Sequence, residues 1–261
     1  MLKIITCFKW VVDEADIKID TGSRALVLDR ASYKTSEYDR NAIEEAVRLR
    51  ELHGASVTAA TVASPSAKNC IKDVLSRGPD KLVFVNDPAF SDLEPSQTSG
   101  ILAAAIKAQG DFDLIVCGEG SSDLYAQQVG PALAEKLGIA CVTCARTLSY
   151  DEAANSVVAE RKLDDVFEVV SVPLPALVTV TPDINTPRIP SLKQILEAAR
   201  KPVDQVTMSD LGQDFAADFG PCLETLSVLG ATTDRKRLRF GAEAEDVRTV
   251  VNALLKEGVI A

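Results

Sequence analysis

The residues best suited to chemistry lie in one glycine-rich loop, residues 117–131. The loop reads CGEGSSDLYAQQVGP and follows an apolar run, Leu114–Cys117, that is typical of a buried strand. Gly118 and Gly120 would let the backbone approach a ligand and permit positive φ, and the next helix would offer free N–H groups to an anion. This chemistry suits the phosphate or diphosphate of an adenine nucleotide. A solvent-exposed turn that starts a helix is the alternative, because the loop matches neither GxGxxG nor a Walker loop.

Other candidates also follow strand-like runs, where an open α/β sheet places its ligands. Lys9 ends the first strand, Asp39 could accept from a ribose hydroxyl, and the small residues up to Ser64 would let a purine lie against the backbone. Thr98 opens a helix whose hydroxyls and N–H groups suit a phosphate or a flavin carbonyl. The plainer interpretations are a core strand ending in a surface lysine, a helix cap and an ordinary turn.

The elements that would position these residues alternate along residues 1–140. Strand and helix patterns in turn predict an α/β fold with a doubly wound, mostly parallel sheet and helices on both faces. Ser36 or Asp39 could cap the first helix, Gly54 would stop it, and Ser96 is the expected cap of the third. The predicted strands are Lys3–Phe8, Ser56–Val62, Lys81–Val85, Leu114–Cys117 and Ala140–Val142, and the predicted helices are Tyr38–His53, Ala67–Ser76, Ser96–Gln109 and Gln128–Leu137.

The second half of the chain has a different pattern. Short alternating runs at Ala145–Tyr150, Ser156–Arg161 and Phe167–Val172 predict an antiparallel extension of the sheet, and Ala176–Val180 returns to the core. Glycine and proline break up the pattern after Pro202 until an amphipathic helix at 244–257. We therefore expect a nucleotide-binding α/β domain at 1–202 and a C-terminal arm at 203–261 that lies on another surface.

Composition excludes several classes of function. The net charge of −10 over 261 residues argues against nucleic-acid binding, and no apolar run is long enough for a membrane span. The start, MLKIITCFKW, has the pattern of a first strand and not of a signal peptide, so we expect a cytoplasmic protein.

Cys141 and Cys144 have CxxC spacing but no second pair, and the one histidine, His53, lies far away, so packing is favoured over redox or metal binding. No catalytic set stands out, which favours chemistry carried by a bound cofactor.

One segment is distinctive over residues 159–202. It reads AERKLDDVFEVVSVPLPALVTVTPDINTPRIPSLKQILEAARKP: a charged cluster, alternating apolar positions, a Pro-x-Pro step, a buried run and a proline-punctuated loop before a short helix. This order closely resembles the signature of the electron-transfer flavoprotein β-subunit family. The resemblance extends over residues 1–202. It implies an adenine nucleotide α-hydrolase-like sheet and an electron carrier subunit, not a stand-alone catalyst.

The resemblance also implies cofactors and partners. An α-subunit would share FAD with this chain and be embraced by its C-terminal arm, and the cleft in this chain would hold AMP or, in electron-bifurcating members, a second FAD. The loop carries Ser-Ser-Asp-Leu-Tyr where bifurcating members usually have Asp-Gly-Asp-Thr, which leaves these two open. Similarity is closest to the fix-type branch, associated with anaerobic carnitine reduction or nitrogen-fixation electron supply. The redox partner would be an acyl-CoA-dehydrogenase-like protein or another flavin or iron–sulfur protein.

Site residues follow from the matching positions. The segment from Arg188 resembles the family's recognition loop, with an exposed leucine as an interface anchor, although first-turn core packing of Leu192 is an equal alternative. Partner docking is therefore expected at Arg188, Leu192 and Ile195. Cofactor binding is expected at Cys7, Phe8, Lys9, Asp39, Asn41, Val62, Ala63, Ser64, Thr98, Cys117, Gly118, Ser121, Ser122, Asp123, Tyr125, Ala126, Gln127, Gln128, Val129 and Gly130.

Two other classes share this kind of sheet. A free-standing adenine-nucleotide sensor of the universal-stress-protein type would carry Gly-x-x-Gly-x₉-Gly-Ser/Thr, and that spacing is missing from the sequence. A ligase of the adenylate-forming or pyrophosphatase type would need a Ser-Gly-Gly-x-Asp-Ser loop, which is also missing. The sensor remains the alternative function.

Overall fold

The computed structural model of the chain describes residues 1–90, 92–231 and 237–260. The strands are β1 (Lys3–Cys7), β2 (Trp10–Val12), β3 (Lys18–Ile19), β4 (Leu26–Val27), β5 (Tyr33–Thr35), β6 (Ser56–Ala63), β7 (Lys81–Asn86), β8 (Leu114–Gly118), β9 (Ala140–Asp151), β10 (Ser156–Lys162), β11 (Phe167–Pro173), β12 (Ala176–Val180) and β13 (Val203–Val206). The α-helices are α1 (Glu37–His53), α2 (Asn69–Ser76), α3 (Pro95–Gln109), α4 (Val129–Leu137), α5 (Leu192–Ala198), α6 (Phe215–Asp218) and α7 (Ala244–Lys256).

A nine-stranded sheet organises the chain, in the order β11-β10-β9-β12-β8-β1-β6-β7-β13. Neighbouring strands pair in parallel along the part of this order that runs from β9 to β13. Strands β10 and β11 add the antiparallel extension. This confirms the predicted doubly wound α/β fold. From β1 the chain continues to β6 and β7 on one side and then crosses to β8 on the other. The strand order therefore reverses between β1 and β8.

Side-chain alternation explains why helices cover both faces. Along β8, Leu114 and Val116 pack with residues of α1, while Ile115 and Cys117 pack with residues of α3 and α4 on the opposite face. Buried strands with apolar residues on both faces are expected in a sheet covered on both sides. The α1 and α2 layer therefore lies on one face of the sheet, and the α3 and α4 layer lies on the other.

Strand β9 differs from the sequence prediction of two separate strands. It runs unbroken from Ala140 to Asp151, pairing with β12 in parallel and with β10 antiparallel. Cys144 has φ 60°, and the register with β12 shifts at this point. The backbone N–H of Cys144 donates to Thr179 Oγ1 at 3.1 Å. A bulge of this kind bends a strand without ending it, which the sequence break at 142–145 does not reveal.

Helix ends confirm some of the expected caps and correct one. Gly54 follows α1 in the left-handed conformation at φ 65°, and Ser36 occupies the N-cap position. The expected cap at Ser96 is wrong. Pro95 fills the first helical position of α3, so the residue before it, Glu94, is the N-cap. Glu94 also forms a capping box with Gln97.

The chain forms two compact units. One comprises residues 1–18 and 27–227, and the other comprises 19–26 and 228–261, of which 232–236 and 261 lie outside the described residues. Residues 203–206 form β13 on β7 and thus belong to the first unit. The predicted arm at 203–261 includes the undescribed residues, and its contact with another protein stays a prediction. Among the described residues, no helix combines the length and apolar character needed to cross a bilayer.

Candidate functional site

A buried carboxylate joins the carboxyl ends of the two strands where the strand order reverses. Asp39, at the start of α1, accepts a hydrogen bond from the backbone N–H of Lys9 at 2.8 Å and another from that of Gly118 at 3.3 Å. Its side chain is buried, and burial raises its pKa to about 7 although both N–H donors oppose the rise. Because open α/β sheets bind ligands at such a reversal, Asp39 fixes the floor of the expected site.

The loop after β8 is held against this floor by contacts close to Asp39. The backbone N–H of Ser122 donates to Ser36 Oγ at 3.3 Å, and Lys9 Nζ lies 2.6 Å from Asp123 Oδ2. Partial burial favours the neutral acid, but the hydrogen bonds from Lys9 and Ser121 outweigh it and lower the pKa of Asp123. Lys9 and the loop, distant in sequence, therefore lie together as predicted.

Two non-glycine residues of the loop have left-handed backbone conformations. Tyr125 has φ 48° and Gln127 has φ 56°. Each costs about 1 kcal/mol or more relative to ordinary conformations. The Tyr125 ring packs 5.1 Å from that of Tyr38, and its hydroxyl donates to Glu119 at 2.9 Å. Burial and this hydrogen bond raise the pKa of Tyr125 to about 12. Such strain is often found at ligand sites.

Gly118 and Gly120 of the loop pack closely against other groups of the protein. Neither has positive φ. A Cβ on Gly118 would lie 2.6 Å from Asp39 Oδ1 and 2.8 Å from the backbone carbon of Tyr38, whereas a Cβ on Gly120 would lie 2.7 Å from the Tyr125 ring. Glycine is therefore needed for packing of the protein on itself, and only the left-handed positions of Tyr125 and Gln127 provide the unusual backbone turn.

Two features of the loop fit a polar ligand such as a nucleotide phosphate. Ser122 Oγ is buried and has no hydrogen-bond partner among the described residues, and such a group usually signals a missing partner. Helix α4 begins at Val129, and its N-cap residue Gln128 makes no side-chain cap hydrogen bond. The first N–H groups of α4 can therefore bind an anion, helped by the helix dipole.

The remaining predicted cofactor residues divide into core and edge positions. Cys7, Phe8 and Cys117 are buried in the core, and the hydrogen bond with Cys7, together with burial, holds the pKa of Cys117 well above its usual range. Asn41 is also buried and donates to the carbonyl of Asn185 at 2.8 Å. These four side chains support the site from below and offer little to a ligand.

At the sheet edge, β6 ends beside β1, which brings the predicted segment Val62, Ala63 and Ser64 to the same edge as Lys9. Ser64 Oγ lies 2.6 Å from Ser66 Oγ. Thr98 lies in the first turn of α3, beyond β7. In the loop, Ala126, Gln127 and Gln128 are exposed, whereas Gly130 is buried.

The predicted docking segment has one anchored residue and several exposed apolar ones. Arg188 donates to Glu44 at 2.8 Å and to Glu51 at 2.7 Å, which ties the loop to α1. Leu192, the first residue of α5, is 73% exposed, and Ile195 is half-buried. Arg188 thus positions the segment, and Leu192 is free to meet a partner.

Sequence reasoning missed several residues of both regions. Ser36 was assigned only as a cap, and Tyr38 and Glu119 were not considered, although their contacts hold the loop. Ile189, which is 93% exposed, and Leu196, which is 65% exposed, extend the apolar surface around Leu192. The sequence could have indicated that Ile189 is exposed, because this residue lies between prolines, where a core side chain is not expected. Among the described residues, no group of His, Cys, Asp and Glu is arranged to hold a metal ion.

The fold and this edge define the class: a doubly wound α/β protein whose loop after β8 lies at the reversal of its strand order. The family model described as an electron transfer flavoprotein domain matches residues 25–211, well over half of the chain. The chain therefore belongs to the electron transfer flavoprotein family, and its role is of the electron-transfer-flavoprotein type.

Proposed function

We propose that this chain is the β-subunit of a heterodimeric electron transfer flavoprotein. It would share FAD with an α-subunit and pass electrons between dehydrogenases or reductases, with the cytoplasm as its compartment. The proposal is supported by the family match and by the resemblance of residues 159–202 to the β-subunit signature. Bound flavin supplies the redox chemistry, and this chain's residues bind, orient and dock.

The single observation that carries the nucleotide part of the proposal is the geometry at Asp39. Its carboxylate joins the N–H groups of Lys9 and Gly118 at the strand reversal, beneath a strained loop with an orphaned hydroxyl at Ser122. Ser122 and the start of α4 would hold a phosphate, and the small side chains at 62–64 would lie against the adenine. AMP and the adenosine part of a second FAD both fit this description, so bifurcation stays a proposal.

The cofactor inventory of the purified complex tests this function. We expect co-expression with an electron transfer flavoprotein α-subunit to give a yellow heterodimer. Released FAD and AMP are then counted per heterodimer. One FAD with one AMP indicates a simple carrier, and two FAD with no AMP indicate the bifurcating type. A colourless monomer that binds ATP tightly would contradict the proposal and favour the sensor of the universal-stress-protein type.

The matched variants Ser122→Ala and Ser149→Ala test the nucleotide cleft. Ser149 Oγ is hydrogen-bonded only at 3.4 Å to Val158 on the antiparallel extension, far along the sheet from the loop. We expect Ser122→Ala to lower the nucleotide content of the purified heterodimer by about tenfold, as the loss of one hydrogen bond to a charged group does. Ser149→Ala should retain it. Equal content in both variants would remove Ser122 from the site.

A further inference from the structure

We propose that Arg40 binds a carboxylate of the redox partner and so determines which partner docks beside Leu192. This inference rests on the proposed docking role of the segment at residues 187–198, which here includes the loop before α5 and the helix itself. It adds a polar anchor, Arg40 on α1, to the apolar anchor Leu192.

Arg40 is an unpaired cation at a cavity. The cavity has a volume of about 460 Å³ and lies between the start of α1 and the loop after β12. Arg40 Nε is buried without a hydrogen-bond partner, and among the described residues no carboxylate forms an ion pair with Arg40. The lining residues are Glu37, Tyr38, Arg40, Asn41, Arg77, Pro182, Pro187, Arg188, Ile189 and Pro190.

The other charged groups of the cavity already have partners. Arg77 pairs with Asp73 at 3.0 Å, and Glu37 shares Lys34 with Asp13 and Glu14. Arg188 is neutralised by the two carboxylates of α1 described above. Of the three arginines that line the cavity, Arg40 is therefore the one without an ion-pair partner among the described residues.

The cavity is continuous with the docking segment. Residues 187–190 form one of its walls, and Ile189 is almost fully exposed at its rim, next to Leu192. A protein that buries Ile189 and Leu192 would also cover the cavity and remove water from Arg40. Because an unpaired charge is costly to desolvate, such a protein must bring an acidic group to this position.

Charge complementarity makes this contact selective. The chain carries a net charge of −10. This charge disfavours the docking of a partner's acidic patch elsewhere on the surface of the chain. Arg40, the unpaired arginine of this cavity, would attract an Asp or Glu of the partner to this position. The planar guanidinium can hold both carboxylate oxygens at once. A partner with an apolar residue at this position would leave Arg40 buried and unpaired.

Steady-state kinetics with Arg40→Gln provide the first test. The assay uses the FAD-loaded heterodimer and the flavoprotein dehydrogenase that reduces the wild-type complex. We expect the KM for the dehydrogenase to rise about tenfold with kcat unchanged, because docking is weakened and the electron-transfer distance is not. The matched control is Arg48→Gln on the same helix, where Arg48 already pairs with Glu45 at 3.2 Å. An equal KM for both variants overturns the proposal.

Crosslinking of Arg40→Lys identifies the bound group. A carbodiimide joins lysine to a carboxylate in contact with it, whereas arginine does not react. We expect a crosslink from position 40 to an Asp or Glu of the dehydrogenase. Lys193 is 84% exposed on the docking helix and serves as the internal reference. A crosslink from Lys193 without one from position 40 overturns the role of Arg40 and leaves docking intact. If neither position crosslinks and Leu192→Ala has no effect, the docking function itself has failed.

A small anion is the competing occupant. Inorganic phosphate is titrated into the heterodimer without the dehydrogenase, and the melting temperature is followed in the wild type and in Arg40→Gln. We expect the same response in both proteins. Stabilisation by phosphate that only the wild type shows would make the cavity a small-anion site and overturn the proposal.

Discussion

The strand edge at Asp39 and the docking segment at 187–198 differ in which groups are held by hydrogen bonds and which are exposed. At the edge, a buried carboxylate is saturated by two backbone N–H groups and the adjoining loop accepts backbone strain. In the docking segment, one arginine is saturated on α1 and the apolar side chains face solvent. In the proposed function, the first arrangement would present backbone groups of fixed position to a small ligand. The second would present side chains on an anchored loop to a large one.

The largest expected difference concerns the pH dependence of the buried acid. The pKa of Asp39 is about 7 in the fold and near 4 in the unfolded chain. The native state therefore keeps a proton on Asp39 that the unfolded chain releases. The contribution of Asp39 to the free energy of unfolding is complete below pH 4 and is lost as the pH rises through 7.

We expect urea unfolding to show this loss in the wild type and not in Asp39→Asn, which resembles the neutral acid. Relative to the variant, the wild type should lose about 4 kcal/mol of unfolding free energy between pH 4 and pH 8. Parallel pH profiles of the two proteins would show that Asp39 is ionised throughout.

The second prediction tests the rigidity of the edge. In Gly118→Ala, the new Cβ meets Asp39 and the Tyr38 backbone, which cannot move away, and we expect a loss of about 3 kcal/mol of unfolding free energy. In Gly120→Ala, the close contacts of the Cβ are with the half-exposed ring of Tyr125, which can rotate, and the Tyr125 Cα lies at 3.4 Å, so the loss should stay below about 1 kcal/mol. Chemical denaturation measures both. Equal losses would show that Gly118 is not held by the carboxylate.

The third prediction concerns the docking segment. Leu192→Ala should weaken binding of the redox partner by about 2 kcal/mol, since a leucine buried on docking contributes about that much. Flavin content should not change. Leu52→Ala is the matched control, because both leucines are 73% exposed. Titration calorimetry with the partner distinguishes them, and an equal loss for the two variants would make the effect a general surface effect.

The smallest effect is expected for the ion pair between Lys9 and Asp123. Both side chains are partly exposed, at 44% and 30%, so Lys9→Gln should cost less than about 1 kcal/mol of stability. Its effect on the loop should be larger than its effect on the fold. Limited proteolysis at residues 119–128 measures this, and unchanged cleavage would show that the contacts of Ser36, Asp39 and Tyr125 hold the loop without the ion pair.

The sequence predicted the parallel sheet and the position of the loop, and the reasons are physical. Buried parallel strands such as β8 are continuous apolar runs, and glycine after a helix marks its end, as at Gly54. The bulge at Cys144 could not be predicted, because β9 changes its partners there and local composition does not record pairing.

The roles of single residues were harder to predict than their positions. Asp39 was expected to face a ribose or cap a helix, but its carboxylate binds the backbone of two strands that lie far apart in the sequence. Arg188 was expected to meet a partner, but it is bound to α1. In both cases the partner is a distant backbone or side-chain group, and only the assembled fold brings it within hydrogen-bond distance.

The bulge in β9 has a consequence for communication across the molecule. Thr179 accepts the N–H of Cys144 through its hydroxyl, and its methyl group lies where a Cβ on Gly130 would have to be, at 2.5 Å. One side chain thus contacts both the bent strand and the first turn of α4. A displacement of the bent strand would therefore reach the first turn of α4 through the Thr179 side chain.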